Sequence, residues 1–117
     1  MTRCVRERVL AREPVLGALI RMPNEFLIEV AGIAGLDYVA LDCEHGPADL
    51  VVTRQHIVLA EAFGLETLIR VPENDPALIV RVLDLGASGI IAPHVTTVEG
   101  AAQIVTSAAY PPHGQRG

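Results

Sequence analysis

One pattern recurs along this chain. A short apolar run is followed by a polar loop, then an amphipathic stretch, then a glycine that leads into the next apolar run. The first run spans about Val15 to Ile20, and Asn24 then caps a helix that reaches about Ala34 before Gly35. The second run is Asp37 to Asp42. Asp49 caps a helix over roughly Leu50 to Phe63, which ends at Gly64. The third run is Thr67 to Val71, followed by Asp75 as a cap with Pro76 in the first helical position and a helix to about Leu85 before Gly86. The fourth run is Ser88 to Ala92, and Thr96-Thr97-Val98-Glu99 reads as a capping box that opens a helix to about Ala109. Runs this short and this apolar are strands covered on both faces, and strands alternating with helices make a parallel sheet with right-handed connections.

The fold class is therefore α/β, with four consecutive βα units over residues 14–117 and a leading helix within 1–13, near Val5 to Arg12. At 117 residues the chain is one domain at most. Two architectures accommodate four such units: a small open sheet of flavodoxin type, or half of an eight-stranded barrel. A full barrel takes about 250 residues. No Gly-x-Gly-x-x-Gly follows the first strand, so a dinucleotide site has no support.

Composition narrows the chemistry. Half the residues are apolar and only 3% are aromatic, which suits α/β layers better than a sandwich or a disulfide scaffold. The net charge of −5 argues against nucleic acid. No apolar run is long enough to span a bilayer, and the charged N-terminus lacks the apolar segment of a signal peptide. Cys4 and Cys43 suggest neither a disulfide framework nor a zinc site, so the expected compartment is the cytoplasm. All nine basic residues are arginine and there is no lysine. Imine-forming aldolase or pyridoxal chemistry is thereby excluded for this chain, because a Schiff base needs a lysine amine.

The polar residues of interest fall at the carboxyl ends of strands, where parallel α/β folds place their chemistry. Leu41-Asp42-Cys43-Glu44-His45-Gly46 sets two carboxylates and an imidazole where the second strand stops. His45 can move a proton near neutral pH, and a carboxylate can orient it. Arg70 closes the third strand. It either clamps a substrate carboxylate or pairs structurally with Asp42 or Glu44. Asp84, near the C-terminal end of the third repeated helix, opposes the helix dipole and so either has a specific partner or is solvated. His94 is either a site residue or a loop histidine beside proline, and His56 reads as a surface or packing residue. Cys43 should point away from Asp42, and a nucleophilic role has little support.

The string Gly35-Leu36-Asp37-Tyr38-Val39-Ala40-Leu41-Asp42-Cys43-Glu44-His45-Gly46-Pro47 resembles the signature of the HpcH/HpaI aldolase family. Three further blocks agree in order: Ile69 to Asp75, Leu83 to Pro93, and Tyr110 to Gly117. The resemblance covers nearly the whole chain from about Arg8. It implies the N-terminal half of a TIM (β/α)8 barrel of phosphoenolpyruvate/pyruvate type, with residues 1–117 as a single partial domain.

By resemblance the activity is that of a class II carbon–carbon lyase. Such an enzyme reversibly cleaves a 2-oxo-4-hydroxy acid to pyruvate and an aldehyde through a metal-stabilised enolate. His45 matches the family's base, Arg70 the arginine that holds the keto acid, and Asp84 an aspartate that orients the histidine. A divalent metal (magnesium, manganese or cobalt) is expected, which agrees with the missing lysine. The family's metal-ligand glutamate and aspartate come from later strands, however, and no carboxylate pair here matches their motifs. Glu44 is not assigned as a ligand, so little or no activity is expected of this chain alone. The expected partners are the keto acid, the aldehyde, and further copies or a complementing second-half chain. The competing readings are a citrate-lyase-β-like lyase and a non-catalytic truncated fragment or pairing module.

Overall fold

The computed structural model describes residues 3–117; Met1 and Thr2 lie outside it. Helix α1 (Val5–Leu10) precedes four βα units: β1 (Gly17–Ile20) with α2 (Glu25–Ile33), β2 (Tyr38–Asp42) with α3 (Leu50–Ala62), β3 (Glu66–Arg70) with α4 (Pro76–Asp84), and β4 (Gly89–Ile91) with α5 (Val98–Ala108). The strands form one parallel sheet in the order β1-β2-β3-β4. That order separates the two architectures the sequence leaves open. A doubly wound sheet reverses direction at a switch point, whereas strictly sequential right-handed crossovers put every helix on the same side, as in a barrel wall.

The burial pattern agrees with a one-sided layer. Along β3, Thr67 and Ile69 are buried while Glu66, Leu68 and Arg70 are partly exposed, the period of two expected when the faces differ. The core lies between the sheet and the helices and is built on Ile28, Val39, Leu41, Ile57, Ile69 and Val71. At the edge strand β1, Leu19 stays 53% exposed.

Local chemistry starts and stops the elements. The Asn24, Asp49 and Asp75 side chains accept hydrogen bonds from the first turns of α2, α3 and α4, and Pro76 opens α4. Gly35, Gly64 and Gly86 follow helix ends with φ of 77°, 75° and 101°, where a side chain would be strained. The last helix differs by one residue from the capping box read in the sequence. Thr97, not Thr96, is the cap, and its hydroxyl accepts from Gly100 N–H at 3.0 Å.

The leading helix covers the amino ends of the strands. The Val5 amide donates to Glu66 Oε1 at 2.5 Å, and Arg8 pairs with Asp37 just before β2. Asp37 also accepts from Leu16 N–H, and this bond, with the Arg8 guanidinium, lowers its carboxyl pKa. With that end closed, the carboxyl ends of the strands remain available for a site.

Candidate active site

The register of β2 and β3 sets Asp42 opposite Arg70. The Asp42 side chain is fully buried and that of Arg70 is 26% exposed. The guanidinium donates from Nε to Asp42 Oδ1 at 3.0 Å and from Nη2 to Oδ2 at 2.5 Å, a bidentate clasp. Asp42 Oδ1 also accepts from the backbone N–H groups of Glu44 and His45, at 3.0 and 3.1 Å. One carboxylate therefore ties the end of β3 to the loop that carries His45. The Arg70 hydrogen bond, aided by the backbone donors, holds the Asp42 carboxyl well below the usual carboxylate range, and the same bond raises the pKa of Arg70.

Glu44 forms the second tier. Its Oε2 lies 3.4 Å from Arg70 Nε, and its Oε1 lies 3.6 Å from His45 Nε2 and 2.8 Å from His94 Nε2. The side chain is only 10% exposed. His45 and Arg70, expected together from the sequence, thus meet on one carboxylate. His94 joins them from the end of β4, and sequence reasoning did not find that link. It depends on a left-handed backbone at His94, φ 53°, and on the Asn74 side chain donating to the Pro93 carbonyl at 2.7 Å. The pairing of Arg70 with Asp42 and Glu44, the structural alternative in the sequence, is present. It leaves Nη1 without a protein partner among the described residues.

Gly46 makes the loop possible. A β-carbon there would sit 2.2 Å from the Asp42 carbonyl oxygen and 2.3 Å from that of Arg21. The chain after His45 therefore folds directly onto the ends of β1 and β2. Cys43 points the other way, with its sulfur 3.4 Å from Thr53 Oγ1 on α3, and burial pushes its thiol pKa up. That suits a packing residue rather than a nucleophile. His56 also packs: it is 3% exposed, and its Nδ1 lies 2.8 Å from the Val52 carbonyl.

Asp84 is elsewhere. It is the last residue of α4, and a nine-residue helix carries the chain about 13 Å back from the strand tops. Its side chain is 53% exposed and accepts from Arg116 Nη2 at 2.8 Å. Arg116 in turn lies over the Tyr110 ring, 4.5 Å from its centroid. The specific partner anticipated for Asp84 is thus Arg116, and within one chain the fold does not bring Asp84 to His45.

The donor set does not fit the expected divalent cation. Both Asp42 oxygens are taken by Arg70, with two backbone donors added, and Glu44 faces an arginine and two histidines. Among the described residues no group of three or more His, Cys, Asp or Glu is placed to hold a metal ion. No helix among them is long and apolar enough to cross a membrane.

Residues 18–117 match the family model described as HpcH/HpaI aldolase/citrate lyase. A 5-keto-4-deoxy-D-glucarate aldolase of Klebsiella pneumoniae is 37% identical over 107 residues, 92% of this chain but 42% of the relative. The crystal structure of an HpcH/HpaI aldolase from Desulfitobacterium hafniense superposes with a TM-score of 0.90 at 32% identity, covering 99% of this chain and 45% of that one. The citrate synthase SbnG superposes with a TM-score of 0.91 at 33% identity, covering 97% and 46%. The chain spans less than half the length of these relatives. It belongs to the HpcH/HpaI aldolase/citrate lyase family, and its four βα units correspond to about half of the barrels of that family.

Proposed function

We propose that this member of the HpcH/HpaI family supplies the base and the carboxylate clamp of a carbon–carbon lyase that acts on a 2-oxo-4-hydroxy acid. The observation that supports the reading most strongly is the convergence of Arg70 and His45 on Glu44 at the carboxyl ends of neighbouring strands. The Arg70 guanidinium is fixed from behind by Asp42, and its remaining N–H edge can take the keto-acid carboxylate or 2-oxo oxygen. His45, 58% exposed, takes the proton of the C4 hydroxyl as the C3–C4 bond breaks. The aldehyde leaves, the electron pair stays on C3 as an enolate, and a proton returned to C3 gives pyruvate.

In the family a divalent cation supplies Lewis-acid stabilisation of that enolate. The side chains here would contribute base, clamp and orientation; among the described residues no group of three or more His, Cys, Asp or Glu is placed to hold that cation. A role for Asp84 on His45 has to come from a second copy, because its own position is at Arg116. The equally close likeness to a citrate synthase favours a second reading. In it the same clamp and base serve carbon–carbon bond formation, with the acceptor set by residues outside this chain.

A pyruvate-release assay with added manganese tests the first reading, run with and without a chain that supplies the second half of a family barrel. Little or no pyruvate is expected from this chain alone. The complemented pair should cleave, and His45→Ala should lower its rate by about 10²-fold or more. Cleavage by the complemented pair that is indifferent to His45→Ala would remove the assignment.

A further inference from the structure

Around Arg70 the charges do not balance for binding an anion. Two carboxylates, Asp42 at 2.5 Å and Glu44 at 3.4 Å, already face one guanidinium. A second arginine, Arg21, reaches Asp42 only from an exposed position: it is 64% exposed, with its Nε 3.8 Å from Asp42 Oδ2. A keto-acid carboxylate arriving at Arg70 would be a third anion. Asp42 cannot withdraw, because it is buried and carries the loop amides of Glu44 and His45. Glu44 is the movable member, since it follows the strand end and its contacts are to side chains alone.

His94 is the group that holds it. A carboxylate oxygen only accepts, so His94 Nε2 is the donor in the 2.8 Å bond to Glu44 Oε1. The ring reaches this position because His94 adopts φ 53°, a conformation that costs a β-carbon residue free energy and that clusters at functional sites. The neighbouring Pro93 carbonyl is anchored by Asn74 at 2.7 Å. The His94 side chain is otherwise 82% exposed, so core packing does not account for the conformation.

We infer that His94 is a positioning residue: by hydrogen-bonding Glu44 Oε1 it holds that carboxylate at the Nε side of Arg70, 3.4 Å away, and so keeps the Nη1 edge of the guanidinium able to accept a keto-acid carboxylate. Without His94 the Glu44 side chain is released to move from the Nε side onto the open Nη1 edge and compete with the substrate. The inference rests on the clamp role of Arg70 given above, and it makes His94 a determinant of anion affinity without any contact to the reacting atoms.

Oxalate, a planar two-carboxylate mimic of the pyruvate enolate, is the probe. It is titrated into the 117-residue chain in chelator-treated buffer, and binding is followed by NMR shifts of the Arg70 Nε–H and the loop amides. His94→Ala should weaken binding about fivefold, the upper range for an exposed charged pair. His94→Gln, whose amide can still donate to Glu44, should restore it. In a Glu44→Gln background His94→Ala should change nothing, since the competing charge is gone. Unchanged amide shifts outside the loop establish that the variants keep the fold. Wild-type affinity in His94→Ala, with binding still lost in Arg70→Met, overturns the inference alone, as does a His94→Ala effect that persists with Gln at position 44. If wild type binds no oxalate, or Arg70→Met binds as well as wild type, the clamp reading itself fails and the inference goes with it.

Discussion

Asp42→Asn is the substitution on which the site's architecture can be tested most directly. The wild-type carboxylate is fully buried and accepts two hydrogen bonds from Arg70 and two from backbone amides. Asparagine keeps the size but loses the charge, and it turns one acceptor into a donor that faces another donor. Breaking one partner of a buried pair costs about 3–5 kcal/mol, because the other charge is left uncompensated. Arg70 is 26% exposed, so water recovers part of its solvation and the lower end of that range applies, about 3 kcal/mol. With a urea m-value of about 2 kcal/mol/M, the unfolding midpoint should fall by about 1.5 M. Equilibrium urea melts of wild type and variant, at one protein concentration, provide the comparison. A midpoint within about 0.3 M of wild type, less than 1 kcal/mol at that slope, would show that the clasp contributes nothing and that Arg70 is free to move.

The same pair carries a pH signature. The folded-state pKa of Asp42 is depressed below its ordinary value of 3.8. Its contribution is therefore fully present above that value and is lost as the pH falls through it toward the folded-state pKa. The gap in stability between wild type and Asp42→Asn should be constant from pH 7 down to about pH 5 and should narrow progressively as the pH falls below about 4.

One further substitution and one association state are informative. Gly46→Ala, whose β-carbon would lie 2.2 Å from the Asp42 carbonyl oxygen, should cost about 2 kcal/mol in a urea melt and displace the His45 amide resonance; a silent substitution would mean that the loop does not pack on β2 as described. The chain in solution should self-associate or bind a complementing half, because β1 and β4 are unpaired edges and Leu19, Phe26, Val30 and Ile33 are 53–76% exposed. Sedimentation at micromolar concentration checks this, and a stable monomer with a cooperative melt would show that the four units close their own core.

Most of the layer was legible because its signals are local. Asn24, Asp49 and Asp75 cap helices through their own side chains, and Pro76 and the glycines after α2, α3 and α4 act on their own backbone dihedrals. Strand ends moved by one or two residues: β1 begins at Gly17, and β3 is Glu66–Arg70. Thr96 and Thr97 are chemically equivalent as caps, so only the entry angle of the chain after Pro93 chooses between them. The strand order needed the fold, since four βα units read alike whether helices take one face or two.

The site was legible only up to the point where register takes over. His45 and Arg70 could be placed at strand ends, but whether Arg70 faces Asp42 or a substrate depends on how β2 slides against β3. A shift of one residue would turn either side chain to the other face. The observed register leaves a guanidinium committed on one edge and available on the other. The structural reading of Arg70 thus occupies one edge of the group, and the clamp proposed above would use the other. His94 needed a backbone conformation that its residue type rarely adopts, which no pattern of apolar residues encodes. Asp84 shows the converse. Its motif is well placed in sequence, but strand tops and helix ends lie at opposite ends of a βα layer. A residue that ends a helix serves such a site from a neighbouring copy or not at all. The Asp84–Arg116 pair is then a contact at the far end of the layer from the chemistry, and the groups that set Arg70 are Asp42, Glu44 and His94.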